Sequence, residues 1–294
     1  MWIAFALLSS VCLGFYDIMK KLSVRDNNVL VVLLLNTLFG ALLMSPVIIS
    51  ALASHTPMLG DTVSGHLLIA LKAVIVLVSW LLGYFAIKHL PLTIQGPVNA
   101  SRPVMVLVGA MLIFGERLNA LQWAGVIIGF TSLFLISRIG AGEGFSISGS
   151  RWLWMAIGAA VTGALSGLYD KFIIGLYEPL HVQAWFSVYQ CIIMSATILT
   201  IRRLNRAGAS APFRWRWAIL FISLFLTAAD MAYFHALSLD GALVSVISMV
   251  RRGSVIIPFL YGVFVLREKH IKAKTADLAL LLVSLALIVA GSAH

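Results

Sequence analysis

Gly14-Phe15-Tyr16-Asp17 and Gly167-Leu168-Tyr169-Asp170 decide the reading of this chain. The same Gly-x-Tyr-Asp pattern recurs after 153 residues in a sequence of 294. Both copies lie inside long apolar stretches. A carboxylate near the middle of a membrane span costs about 2.5–3.5 kcal/mol on insertion scales, so one kept there has a role or a partner. A repeated one points to an ancestral half-protein that already carried it, and so to a transporter assembled from two internal repeats.

The composition agrees. The chain is 61% hydrophobic and 11% charged, with a mean hydropathy of +1.01, whereas soluble domains carry about 25% charged residues. Its apolar material comes in stretches of about 20 residues, the length of a spanning helix. The alternating segments of about 10 residues that build a membrane barrel are absent. The formal charge of +10 does not indicate nucleic acid, because the basic residues form short clusters at span ends, where they orient the chain and meet anionic lipid. Cys12 and Cys191 fall within apolar spans, so neither a disulfide nor a metal site is expected. Met1-Trp2-Ile3 lacks a basic leader, and no cleavable signal is expected.

The periodicity predicts ten helices, near 2–19, 29–50, 67–87, 91–114, 120–137, 152–174, 182–201, 216–237, 241–266 and 275–291. A Gly/Ser-rich segment, 140–150, reads as a linker between two halves, 1–139 and 151–294. The loops after the odd-numbered helices hold fifteen of the 21 basic residues, among them Lys20, Lys21, Arg25, Arg202, Arg203, Arg206, Lys272 and Lys274. The opposite side holds Arg117 and Lys72, the latter taken as lying near a helix end. The positive-inside rule then places both termini outside the cytoplasm.

The correspondence runs through both halves. Ala6, Ser10 and Gly14 match Ala159, Gly163 and Gly167, small residues at every fourth position that let helix backbones approach. Tyr84-Phe85 matches Tyr233-Phe234, Arg102 matches Arg251, and Phe114-Gly115-Glu116-Arg117 matches Leu266-Arg267-Glu268-Lys269. Five spans per half invert the second half relative to the first. The predicted fold class is therefore an all-α integral membrane protein with ten transmembrane helices in two inverted five-helix repeats. Such repeats place a substrate site near the midplane and work by alternating access.

With these residues in view, the sequence resembles the EamA-type branch of the drug/metabolite transporter superfamily. The resemblance rests on the small residues and Gly-aromatic step of helix 1, Tyr84-Phe85, Pro103 in helix 4, and Gly115-Glu116-Arg117-Leu118 closing that helix. It implies that helices 1–4 and 6–9 surround a cavity while helices 5 and 10 form scaffold, with Gly125 and Gly129 suited to close packing. It also implies secondary transport of small metabolites or drugs without an ATP site. The chain departs from the pattern in carrying Arg251-Arg252 in helix 9 and Arg267 where the first copy has glycine.

Arg102, Arg251 and Arg252 lie near the middle of their predicted spans, and a guanidinium fork suits carboxylate or phosphate. Two readings stand open: an anion-binding centre, or pairing with Asp17, Asp170 and Asp230 that holds helices in register. Asn99, one turn before Arg102, joins the candidate substrate-binding set with Tyr16, Asn36, Tyr84, Tyr189, Gln190 and Tyr233. Asp17, Lys20, Asp170, Lys171 and Asp230 are candidates for coupling or gating, with protons as the candidate coupling ion. His235 is expected to make an interhelical hydrogen bond. No catalytic residue, metal ligand or cofactor is expected. The seven histidines are dispersed, and no P-loop or His-Glu-x-x-His spacing occurs, which disfavours a membrane enzyme.

The expected function is secondary-active transport of a small polar or anionic metabolite, with a lipid-phosphate flippase or an exporter of hydrophobic drugs as alternatives. The expected partners are a small-molecule solute and the lipid bilayer, with no nucleic acid, and the expected state is a monomer or homodimer. The expected location is a cell membrane, the bacterial inner membrane, crossed many times.

Overall fold

The computed structural model describes residues 1–24, 27–54, 58, 62–89, 102, 105–139, 151–203, 212–257 and 261, and 279–291 apart from 281, 285 and 289. Every regular element among them is helical: α1 (Trp2–Val24), α2 (Val29–Ala53), α3 (Val63–His89), α4 (Met105–Phe114), α5 (Ala120–Ile139), α6 (Arg151–Ile174), α7 (Pro179–Arg203), α8 (Ala218–Ser238) and α9 (Val244–Arg252). Helical residues recur between 279 and 291. Six of the described helices are long and apolar enough to cross a membrane. They turn apolar side chains outward as well as inward: α2 exposes Leu42, Ile49 and Leu52. A helix that is hydrophobic all round belongs in lipid.

Lipid offers the backbone no water, so each freed backbone group needs an internal partner. Pro46 inside α2 has no N–H to give to the Leu42 carbonyl. Ser45 Oγ donates to that carbonyl instead, at 2.8 Å. At the start of the same helix, Asn28 Oδ1 accepts from the N–H groups of Leu30 and Val31, at 3.1 and 3.3 Å. Asn119 and Gln122 form a reciprocal cap on α5, each side-chain oxygen accepting the other's backbone N–H at 2.9–3.0 Å.

The chain packs as two compact units, and neither is a sequence half. The first comprises Met1–Leu77 and Phe172–Leu239. Within it α1 lies along α8, and α2 packs on α7 and α8. Ala6, Ser9, Ser10 and Gly14 are buried. Ser9 Oγ donates to the Ala229 carbonyl at 2.7 Å. Ser223 Oγ donates to Asn36 Oδ1 at 3.0 Å, tying α8 to α2. Asn27 clamps the segment before α8: its Nδ2 donates to Arg214 O at 2.7 Å and its Oδ1 accepts from Arg214 N at 2.9 Å.

The second unit comprises Val78–Lys171 and Asp240–His294. Ser79 Oγ donates to the Ala159 carbonyl at 2.8 Å, drawing the later turns of α3 onto α6. A Cβ added to Gly158 would meet Leu82 at 3.2 Å. The close packing expected of Gly125 and Gly129 is present. A Cβ at Gly125 would lie 2.8 Å from Ser284 O, and one at Gly129 2.6 Å from Ser284 Oγ. That hydroxyl donates to Gly125 O at 2.6 Å.

α9 tightens partway along the span predicted over 241–266. The α-helix Val244–Arg252 passes into a 3₁₀ turn at Gly253–Val255, and α-helical residues resume at Ile256, Ile257 and Tyr261. The N–H of Gly253 turns back to Val250 O and Arg251 O. Arg251 and Arg252 therefore stand directly before the tightened turn.

Candidate functional site

In the first unit the largest fully buried side chain is a lysine. Lys72, 2% exposed, sits halfway along the apolar segment Val63–Gly83 of α3. Its ammonium lies 4.2 Å from the ring centre of Phe186 on α7 and 4.3 Å from that of Phe234 on α8. This corrects the expectation of a boundary charge: α3 begins at Val63, so Lys72 falls in its third turn. The signal was present in the sequence, as one cation inside the unbroken apolar run from Leu67 to Val78.

Helical spacing puts Gln183 and Gln190 on the Phe186 face of α7. They are 3% and 5% exposed. Gln183 Oε1 and Gln190 Nε2 have no hydrogen-bond partner among the described residues. Tyr189 is engaged, with its hydroxyl 3.0 Å from His66 Nδ1 on α3. Trp185 stands edge-on to the same imidazole at 4.6 Å. Tyr233 is buried beside Phe234.

The other expected residues of this unit are more dispersed. Tyr16 packs on Val32, Ile219 and Ile222, and Lys20 Nζ lies 5.4 Å from its ring centre. Asp17 is exposed and Asp230 half-buried. Asn36 accepts from Ser223 and serves helix packing. His235 meets the ring of Phe5 edge-on at 4.4 Å, an aromatic contact where a hydrogen bond was expected.

In the second unit Arg102 Nη2 donates to the Gly163 carbonyl of α6 at 2.7 Å. Gly163 leaves the room that this contact uses, since a Cβ there would fall 2.3 Å from Arg102 Cζ. Asp170 is buried at 6% exposure, unlike its counterpart Asp17. Lys171 Nζ donates to Ala242 O at 2.8 Å, within electrostatic reach of Glu116. Gly115 has φ +64°, a conformation that suits glycine, and the turn there sends Glu116 to the start of α9. Glu116 Oε1 accepts from Val244 N at 2.6 Å, and Oε2 accepts from Ser245 N at 3.2 Å and Ser245 Oγ at 2.5 Å. A carboxylate at a helix N-terminus satisfies orphan N–H groups and complements the dipole. The closing motif of the fourth predicted helix is thus the cap of α9, a role its sequence alone did not disclose.

Arg251 and Arg252 are half-buried at the end of α9. Asn99, Pro103 and the second closing motif at 266–269 lie outside the described residues, as does the side chain of Tyr84.

Residues 1–138 match the family model described as the EamA-like transporter family. An uncharacterized transporter of Bacillus subtilis is 27% identical over 70% of this chain and 65% of its own length, so the match spans just under two thirds of that relative. An uncharacterized transporter of Archaeoglobus fulgidus is 26% identical over 78% of this chain and 80% of its own length. A protein of Rhizobium johnstonii named as a riboflavin transporter is 26% identical over 57% of this chain and 55% of its own length. A solved protein structure superposes with a TM-score of 0.65 over 99% of this chain and 94% of its own, at 16% identity, which establishes likeness of fold. Residues 1–138, with their apolar spanning helices, are thus similar to the EamA-like transporter family, and the relatives that match the chain further along are named as transporters.

Proposed function

We propose that the protein is a secondary-active transporter that moves a small polar or anionic metabolite by alternating access, with 1–139 and 151–294 as inverted five-helix repeats. The observation that carries this reading is the 3₁₀ tightening of α9 at Gly253–Val255, directly after Arg251 and Arg252 and before helix resumes at Ile256. A mid-helix 3₁₀ stretch often marks a functional hinge, and charged residues within a membrane span mark solute pathways. Two serine bonds support the repeat. Ser9 joins α1 to α8, and Ser79 joins α3 to α6, the counterpart pair under the sequence correspondence.

Reconstitution into proteoliposomes tests the reading. Counterflow of at least one carboxylate or phosphate metabolite is expected, reduced more than about tenfold in Arg251→Ala, a size appropriate to a lost charge-assisted contact. Riboflavin, the solute named for one relative, belongs in the panel as a neutral control. Counterflow of riboflavin alone, unaffected by Arg251→Ala, removes the anionic reading. An imposed proton gradient should accelerate uptake in wild type and leave Asp170→Asn unmoved if Asp170 carries the coupling proton. A reporter fused at His294 is expected outside the cytoplasm. With Lys72 inside the span, Arg117 alone remains on that side, which strengthens the charge bias.

A further inference from the structure

We propose that Phe213-Arg214-Trp215-Arg216-Trp217, the segment that leads into α8, is a built site for the phosphate of an anionic phospholipid. This inference goes beyond the transport reading and does not depend on it. It is also narrower than the general attraction of basic span ends for anionic lipid, because it assigns one segment and one headgroup phosphate.

The segment stands at a membrane boundary. The apolar span of α1 ends at Lys20 and that of α8 begins at Ala218, and the chain between them is bonded together. The buried amide of Asn27 grips the backbone of Arg214 from both sides, with Nδ2 donating to its carbonyl at 2.7 Å and Oδ1 accepting from its N–H at 2.9 Å. The same Nδ2 donates to Ser23 O at 3.0 Å, which ties the grip to the last turn of α1. Two residues on, Arg216 Nη1 donates to Leu22 O, one of the carbonyls that a helix end leaves without an intrahelical partner. Trp215 meets Phe39 of α2 edge-on at 6.2 Å and Trp217 at 6.0 Å. The irregular segment is therefore fixed before any ligand arrives, which lowers the cost of ordering it on binding.

What the segment presents outward supplies the ligand chemistry. The clamp on Arg214 uses only its backbone, and its side chain is exposed. Phe213 and Trp215 beside it are exposed too, and Trp217 is 70% exposed although it is the residue next to a spanning helix. Indole rings at this depth lie among glycerol and upper acyl groups, with the N–H turned to the headgroups. A guanidinium set between such rings meets the lipid phosphate, for which its planar fork is suited. Charge selects the class of lipid. Residues 202–217 carry five arginines and no acid. A zwitterionic headgroup brings a cation of its own, which these arginines repel, whereas phosphatidylglycerol brings none. Arg151 offers a contrast within the same chain: it is exposed as well, but its guanidinium lies 4.3 Å over the Trp152 ring, and Asn27 does not grip its backbone.

Native mass spectrometry of the full-length protein in an uncharged detergent tests this, with dioleoylphosphatidylglycerol, dioleoylphosphatidylcholine and inorganic phosphate as probes. Wild type should retain one phosphatidylglycerol about tenfold more tightly than phosphatidylcholine, and millimolar phosphate should not displace it. Arg214→Gln, which leaves the Asn27 grip in place, should weaken that site about tenfold. Arg151→Gln removes the same charge and should change it less than about twofold. Asn27→Ala and Trp217→Ala remove no charge, and each should weaken retention severalfold. Equal losses in Arg214→Gln and Arg151→Gln reduce the effect to diffuse attraction and overturn the site. Equal retention of the two lipids, displacement by inorganic phosphate, or unchanged affinity in Trp217→Ala also overturns it. If Asn27→Ala does not fold, Arg214→Gln and Trp217→Ala decide the matter. Because no readout is a transport rate, the site and the transport reading can fail separately.

Discussion

The two units treat an intramembrane cation in opposite ways. The first holds Lys72 on the faces of Phe186 and Phe234. The second fixes Arg102 to the Gly163 carbonyl and Lys171 to the Ala242 carbonyl. A carbonyl is directional and consumes a donor, whereas a ring face attracts the charge without fixing any one N–H. The arginine commits at least one donor of its fork to a carbonyl. The aspartates divide along the same line: Asp17 is exposed in the first unit and Asp170 is buried in the second.

The largest effect expected from breaking the second unit's carbonyl-and-carboxylate scheme comes from Glu116→Ala. Two backbone N–H groups at the start of α9 would lose a charged acceptor, each such bond being worth about 1.5–3 kcal/mol. A loss of about 3 kcal/mol in mixed-micelle unfolding is expected, with Glu116→Gln intermediate. A loss below about 1 kcal/mol would show that the cap at Val244 and Ser245 is dispensable.

Packing offers the next comparison. Gly125→Ala drives a Cβ against the Ser284 carbonyl and Ile288 in the second unit, where backbone has to yield. Overpacking of this kind costs about 1–3 kcal/mol. Gly40→Ala in the first unit meets only Thr227 Oγ1, at 3.9 Å. It should be neutral or gain up to about 1 kcal/mol from helix propensity. Equal effects of the two substitutions would remove the distinction between a glycine seam and a glycine with room beside it.

Gly163→Ala probes Arg102 without deleting it. The new methyl would collide with the far end of a flexible side chain, so stability should change by less than about 1 kcal/mol while the guanidinium is pushed off its carbonyl. Transport of an anionic solute should fall about tenfold if the position of Arg102 matters, the factor set by roughly 1.4 kcal/mol. Unchanged transport would assign Arg102 to helix packing.

Much of this was legible from local pattern. Apolar run length gave the six described spans, and Gly125-x-x-x-Gly129 marked a seam, because each signal depends on neighbours within a turn or two. The cap made by Glu116 was not, because its partners lie about 130 residues further along the chain. The 3₁₀ tightening at Gly253–Val255 was missed because a lone Gly253 in an apolar run is common in continuous membrane helices. The unequal burial of Asp17 and Asp170 depends on which helices pack over each, and identical four-residue motifs carry no record of that.

The smallest expected effect tests the repeat most directly. Ser9→Ala removes the hydroxyl that joins α1 to α8, and Ser79→Ala the one that joins α3 to α6. Interhelical hydrogen bonds within membranes average about 0.6 kcal/mol, because the separated helices find other partners. Ser9 is 0% exposed and Ser79 7%, and both acceptors are helix carbonyls already bonded along their own helix. If the two helix pairs are copies of one ancestral contact, the substitutions should cost the same within about 0.3 kcal/mol and add in the double variant. A Ser9→Ala cost several times that of Ser79→Ala would mean that the pairs have diverged into one structural and one mobile joint. Transport rate should then respond to Ser79→Ala more than stability does.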